Sequence, residues 1–201
     1  MSDDEKLGKL PEWDLSDLYA GVNAPELETD LKQSAEKAVA FAEKYKGNLS
    51  TLDGAALAGA ITAYENMDEV LSAIMSYAGL LHAGAVSDPD VGKFYQTIQE
   101  RVNDIFTSLL FFTLELNRID EDDLTAKMTD PELARYQPWL RDVRAMRPHQ
   151  LSDEIETLLH EKSVAGRSAW VRLFDETMAD LRFPYRNRKL TTTEILDLLS
   201  D

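Results

Sequence analysis

Ser87-Asp-Pro-Asp-Val-Gly-Lys-Phe-Tyr-Gln-Thr-Ile-Gln-Glu-Arg-Val-Asn-Asp-Ile-Phe-Thr-Ser-Leu-Leu-Phe-Phe-Thr-Leu-Glu-Leu-Asn117 is the stretch that decides the fold. It opens with capping residues and a proline, whose fixed φ suits the first turn of a helix and whose missing N–H would be unpaired there in any case. Behind the proline, Val91, Phe94, Ile98, Val102, Ile105, Leu109, Phe112 and Leu116 recur at three- and four-residue intervals, one face of a long helix. Its most apolar run, Ile105 to Leu116, is about half of the roughly 20 residues a bilayer span requires, so it reads as a helix buried on most sides.

Upstream, Asp53 can cap a second long helix in which Leu57, Ile61, Tyr64, Leu71, Met75 and Ala78 keep the same period to about Gly84. So few residues join the two that they should pack antiparallel. Pro25 starts an earlier helix that runs to about Lys46 and stops at Gly47-Asn48. Ahead of Gly21 there is little helical period. The segment Leu10-Pro-Glu-Trp-Asp-Leu-Ser-Asp-Leu-Tyr19 is expected to drape over the body through its aromatics.

Downstream the pieces shorten. Asp120 could cap a helix to about Met128, Asp130-Pro131 opens a single turn, and Pro138 begins a segment that ends before Pro148. Ser152-Asp-Glu starts a helix through about Lys162, with acids at the positive end of its dipole. Ser163 to Gly166 interrupts the pattern before Trp170, Leu173, Phe174, Met178 and Leu181 restore it. Leu181 to Tyr185, a polar turn Arg186-Asn-Arg-Lys189, and Leu190 to Thr193 read as a small hairpin, with Pro184 at an edge or bulge. Thr191 and Glu194 have the spacing of a capping box before Ile195-Leu-Asp-Leu-Leu199, an apolar stripe that needs a partner. The expected fold is therefore mainly all-α, an antiparallel bundle of long helices with an irregular helical connector and one small β-hairpin. Residues 1–22 are an extended segment, 23–118 the bundle, and 119–201 the shorter helices, the hairpin and the start of a further helix. Leu109, Phe112, Trp170 and Phe174 are expected to be buried.

The 201 residues suffice for one good core. With 44% hydrophobic and 29% charged residues the composition is that of a globular, helix-leaning chain, and no 20-to-50-residue repeat points to a solenoid. The absence of cysteine excludes disulfides and thiolate sites. The polar, acidic start has no apolar signal segment, and together these point to the cytoplasm. A net charge of −16 repels phosphate backbones and anionic lipid, so nucleic acid and membrane are poor partners.

Chemistry-bearing motifs are incomplete. His160-Glu161 opens a His-Glu-x-x-His zinc motif, but the second imidazole it needs four residues on, to share the helix face, is replaced by Val164. Lys162 and Ser163 do not repair the site. His82 and His149 lie far away in sequence and read as capping or hydrogen-bonding residues. Gly79 and Gly84 follow no strand and make no phosphate loop, and neither Ser163 nor Ser168 has an acid to complete a triad with His160. Glu121-Asp-Asp123 and Asp153-Glu154 sit where helix starts favour acids. Arg167, Trp170, Arg172 and Phe174 read as aromatics facing a core with arginines beside them. No catalytic or metal residue is assigned, and substrate-binding residues stay open.

Four stretches resemble the oligoendopeptidase F family, zinc metallopeptidases of the thimet-oligopeptidase kind: Trp13-Asp-Leu-Ser-Asp-Leu-Tyr19, Leu109-Leu-Phe-Phe-Thr-Leu-Glu-Leu-Asn117, Gln150-Leu-Ser-Asp-Glu154, and Leu159 to Trp170 continuing through Leu173-Phe-Asp-Glu-Thr-Met178. The resemblance implies the amino-terminal helical part of a cytoplasmic enzyme that cleaves short peptides inside a deep channel, of which this part would form a wall. It also implies zinc in the full-length protein and a catalytic part elsewhere, as docking partner, with this chain alone inactive. Two further expectations stand beside it: a free-standing helical interaction module without catalysis, and self-association through the exposed apolar helix at the carboxyl end.

Overall fold

The computed structural model describes residues 13–199 and is all-α apart from one two-stranded antiparallel sheet. Leu10 to Glu12 of the amino-terminal segment lie outside the described residues.

Three long helices make the body: α1 (Pro25–Tyr45), α2 (Gly54–Gly84) and α3 (Pro89–Arg118). Their ends follow the punctuation in the sequence. Prolines occupy the first turns of α1 and α3, the Asp53 carboxylate accepts the Ala56 N–H at 2.8 Å, and Asp88 accepts from Asp90 and Val91. Gly47, at φ 81, takes the left-handed conformation after α1 that a side chain would resist, and its N–H bonds Glu115 of α3 at 2.7 Å.

Aromatic contacts fix the direction of the bundle. His82 stacks on Tyr95, Tyr77 meets Phe94, and Tyr64 stacks on Phe112, so α2 and α3 run antiparallel from their short connection. Pairing of Glu28 with Arg101 and Phe41 with Phe111 makes α1 parallel to α3. The core between them is apolar and rich in aromatic contacts. Leu57, Leu71, Ile74, Leu109, Phe112 and Leu116 are all at most 1% exposed. Burial pushes the Tyr64 phenol up to about 12, with the nearby Asp68 charge adding to the effect.

The connector then folds back over one end of the bundle as α4 (Glu121–Lys127), the single turn α5 (Pro131–Ala134), α6 (Gln137–Arg144) and a 3₁₀ turn, Arg147–His149. Gly54 explains how closely it fits. A Cβ there would lie 2.5 Å from the Lys127 carbonyl oxygen and 2.6 Å from the Asp130 Cβ. The Tyr136 hydroxyl donates to Glu65 at 2.9 Å and lies 2.8 Å from the Thr62 hydroxyl, pinning α5 and α6 to α2.

Two expectations change at this level. Among the described residues of the leading segment, Tyr19 and Leu15 contact the core, while Trp13 is 75% exposed. Tyr19 is held by Asp30, which accepts its hydroxyl at 2.9 Å, and by an edge contact with Tyr77. The hairpin is also tighter than a four-residue turn: β1 (Phe183–Tyr185) pairs with β2 (Arg188–Leu190) around Arg186-Asn187 alone. Thr191 to Thr193 leave the strand because the Thr191–Glu194 capping box recruits them to α9 (Thr192–Asp197).

Candidate functional site

The carboxyl-terminal third presents what the bundle does not, an uncovered apolar face. It is built on α7 (Asp153–Lys162), a π turn (Val164–Ser168) and α8 (Ala169–Asp180), followed by the hairpin and α9. Polar contacts tether α7 to α3. Arg118 pairs with Asp153, Gln150 donates to the Leu114 carbonyl at 3.2 Å, His160 Nε2 lies 3.3 Å from the Asn103 carbonyl, and the Ser163 hydroxyl donates to the Asn103 side chain at 3.2 Å. The hydrogen bonds from Arg118 hold the Asp153 carboxyl below the usual carboxylate range.

At Gly166 the backbone leaves helical geometry (φ −96, ψ −108), and α8 sets off in a new direction. Within α8, Arg172 pairs with Glu176 at 3.6 Å, and the Glu176 carboxylate lies beside Gly92 at the start of α3, 3.9 Å from where a Cβ would stand. Among the described residues, none of α7 or α8 is fully buried. Trp170 is 71% and Phe174 63% exposed, contrary to the expectation that both are buried, whereas Leu109 and Phe112 are buried as expected. The apolar period of α8 is real, but the face it builds points away from α3. Leu158, Leu159, Leu173, Met178 and Leu196 are exposed as well, and large apolar side chains left uncovered in such number mark a region built for contact.

The residues weighed for catalysis take structural roles. His160 is a half-buried anchor, His149 is exposed on the 3₁₀ turn, and His82 is buried against Tyr95 with an Nε2 that meets no partner among the described residues. Glu121 pairs with Arg144 at 2.6 Å and Asp123 with Lys127 at 3.0 Å. Among the described residues no group of three or more His, Asp or Glu side chains is placed to hold a metal. His160 is the one imidazole on its helix and Val164 stands one turn on, so α7 and the turn after it do not present the paired imidazoles that a catalytic zinc needs.

The sequence reading missed an open cleft of about 790 Å³ between α4 and α6, floored by Leu124, Met128 and Leu140 and edged by Arg141, Arg144 and Arg147. Its only signal was the arginine spacing along α6. Arg144 is already committed to the Leu116 carbonyl at 2.8 Å and to Glu121.

The family model described as Oligopeptidase F matches residues 115–183, from the end of α3 through α8 to β1. Oligopeptidase PepF of Bacillus subtilis (strain 168) is 28% identical over 200 residues, an alignment covering 92% of this chain. The chain is thus similar to oligoendopeptidase F proteins, to the family model over residues 115–183 and to the Bacillus protein along most of its length. The crystal structure of oligoendopeptidase-F from Enterococcus faecium shares the fold, with a TM-score of 0.71 at 23% identity over 100% of this chain. The chain spans 28% of the length of the Bacillus relative and 37% of the Enterococcus chain, so both oligoendopeptidase F proteins are far longer than the region described here. Among the described residues, no helix is long and apolar enough to cross a membrane.

Proposed function

We propose that this chain is the architectural, helical part of a longer oligoendopeptidase F enzyme that hydrolyses short peptides in the cytoplasm. It builds one wall of the substrate channel and docks through α7, α8 and α9 on the catalytic remainder, which holds the zinc. The observation that carries the reading is the contrast between a closed aromatic core in α1 to α3 and the open apolar face of α8, in a chain whose oligoendopeptidase F relatives continue well past its length. A stripe of Trp170, Leu173, Phe174 and Met178 left in water is a burial still to be made.

The test is hydrolysis of a quenched oligopeptide library. The chain alone should give no turnover. The same chain joined ahead of the part of Bacillus subtilis oligopeptidase PepF that it does not align with should give turnover that a chelator abolishes. Chelator-sensitive cleavage by the chain alone would overturn the proposal. A free-standing interaction module is the second reading, favoured by the completeness of the α1 to α3 core. It requires that α8 meet a separate protein and that joining the remainder restore no cleavage.

A further inference from the structure

The stretch from Gly166 to Leu190 opposes the charge of the chain as a whole. It carries six basic residues (Arg167, Arg172, Arg182, Arg186, Arg188 and Lys189) against three acids (Asp175, Glu176 and Asp180), a surplus of three positive charges in a chain of net −16. Two of the six are partly spent: Arg172 pairs with Glu176, and Arg188 lies 3.6 Å from Glu194. Arg182 donates to the Ala179 and Leu181 carbonyls at the end of α8. Arg167, Arg186 and Lys189 stand exposed with no carboxylate within ion-pair distance among the described residues.

Arg186 is the most telling of them. It occupies the first turn position of the hairpin at φ 52, the left-handed region that favours glycine or asparagine. An arginine there is conformationally costly, and its guanidinium lies 5.1 Å from the centre of the exposed Tyr185 ring, a cation–π contact that leaves its charge without a carboxylate among the described residues. Glycine would make this turn more easily than arginine does.

We infer that the surface received by α8 and the hairpin is an apolar strip rimmed by carboxylates, carried by the part of the longer protein that lies beyond this chain. The inference rests on the docking reading above and adds the chemistry of the partner. The stripe of Trp170, Phe174 and Met178 supplies the burial, and Arg167, Arg186 and Lys189 meet the acidic rim and fix register.

The probe is a set of three short amphipathic helical peptides with the same leucine face and a polar face of glutamate, lysine or glutamine. Each is titrated into the full 201-residue chain while Trp170 emission is followed by difference from Trp170→Phe. The glutamate peptide should bind about tenfold more tightly than the other two at low salt, from about three rim pairs, and the gap should close as salt rises. The triple variant R167E/R186E/K189E, exposed and so expected to fold, should reverse the preference. Equal binding of all three peptides, or preference for lysine as the −16 net charge alone would give, overturns the charge inference and leaves the docking face standing. Failure of every peptide to reach Trp170 overturns the docking face itself. Concentration-dependent self-association that shields Trp170 without peptide makes the occupant a second copy and overturns the assignment to the longer protein.

Discussion

Single residues divide sharply between those that hold the body and those that wait on its surface. Phe112 is fully buried among Phe41, Tyr64 and Phe111, and Phe112→Ala should cost about 3–5 kcal/mol in urea unfolding. Phe174→Ala should shift the same midpoint by no more than about 0.5 kcal/mol, because the ring leaves water in neither state of the isolated chain. Gly54→Ala separates two opposing effects. Alanine in a first helical turn is ordinarily favourable, but here its Cβ meets the Lys127 carbonyl and the Asp130 side chain at 2.5 and 2.6 Å, so the variant should lose about 1–3 kcal/mol. Asp68 adds a titration of the opposite kind. Burial raises its pKa, so its charged form opposes folding, and Asp68→Asn should raise the melting temperature at neutral pH. That gain should begin to shrink as pH falls through the raised native pKa and should be gone below the ordinary carboxylate range, where the group is neutral in both states.

Whole elements were read from the sequence where their boundaries are chemical. Proline after a cap, Asp53 before Gly54, and Thr191 three residues before Glu194 each mark a start that the structure keeps. The hairpin turn was read two residues too long, because alternation in so short a strand does not say where pairing ends, and the capping box competes for Thr191 to Thr193. Trp170 and Phe174 show a deeper limit. Periodicity tells which side chains share a face of α8 but not what covers that face, and Gly166 turns it away from α3. The tether of α7 carries its own test. The Asp153 carboxyl is held below its ordinary pKa by Arg118, so the pair stabilises above about pH 4 and is lost as pH falls through the lowered value. Both side chains are about half exposed, so Asp153→Asn should cost less than about 1 kcal/mol at pH 7, and chemical denaturation at descending pH should show the difference shrinking to nothing.

At the scale of the molecule, the account rests on an asymmetry. The amino-terminal two thirds close on themselves through aromatic packing, and the rest offers apolar side chains and spare cations outward. A locally basic, apolar stretch in a chain of net charge −16 is what the proposed docking would use, and the oligoendopeptidase F proteins that the chain resembles are far longer than it. Acrylamide quenching of Trp170, taken as the difference between the native sequence and Trp170→Phe, measures this most directly. The account predicts strong quenching in the isolated chain and protection once the chain is joined ahead of the Bacillus relative's remaining sequence. Equal quenching in both would contradict it.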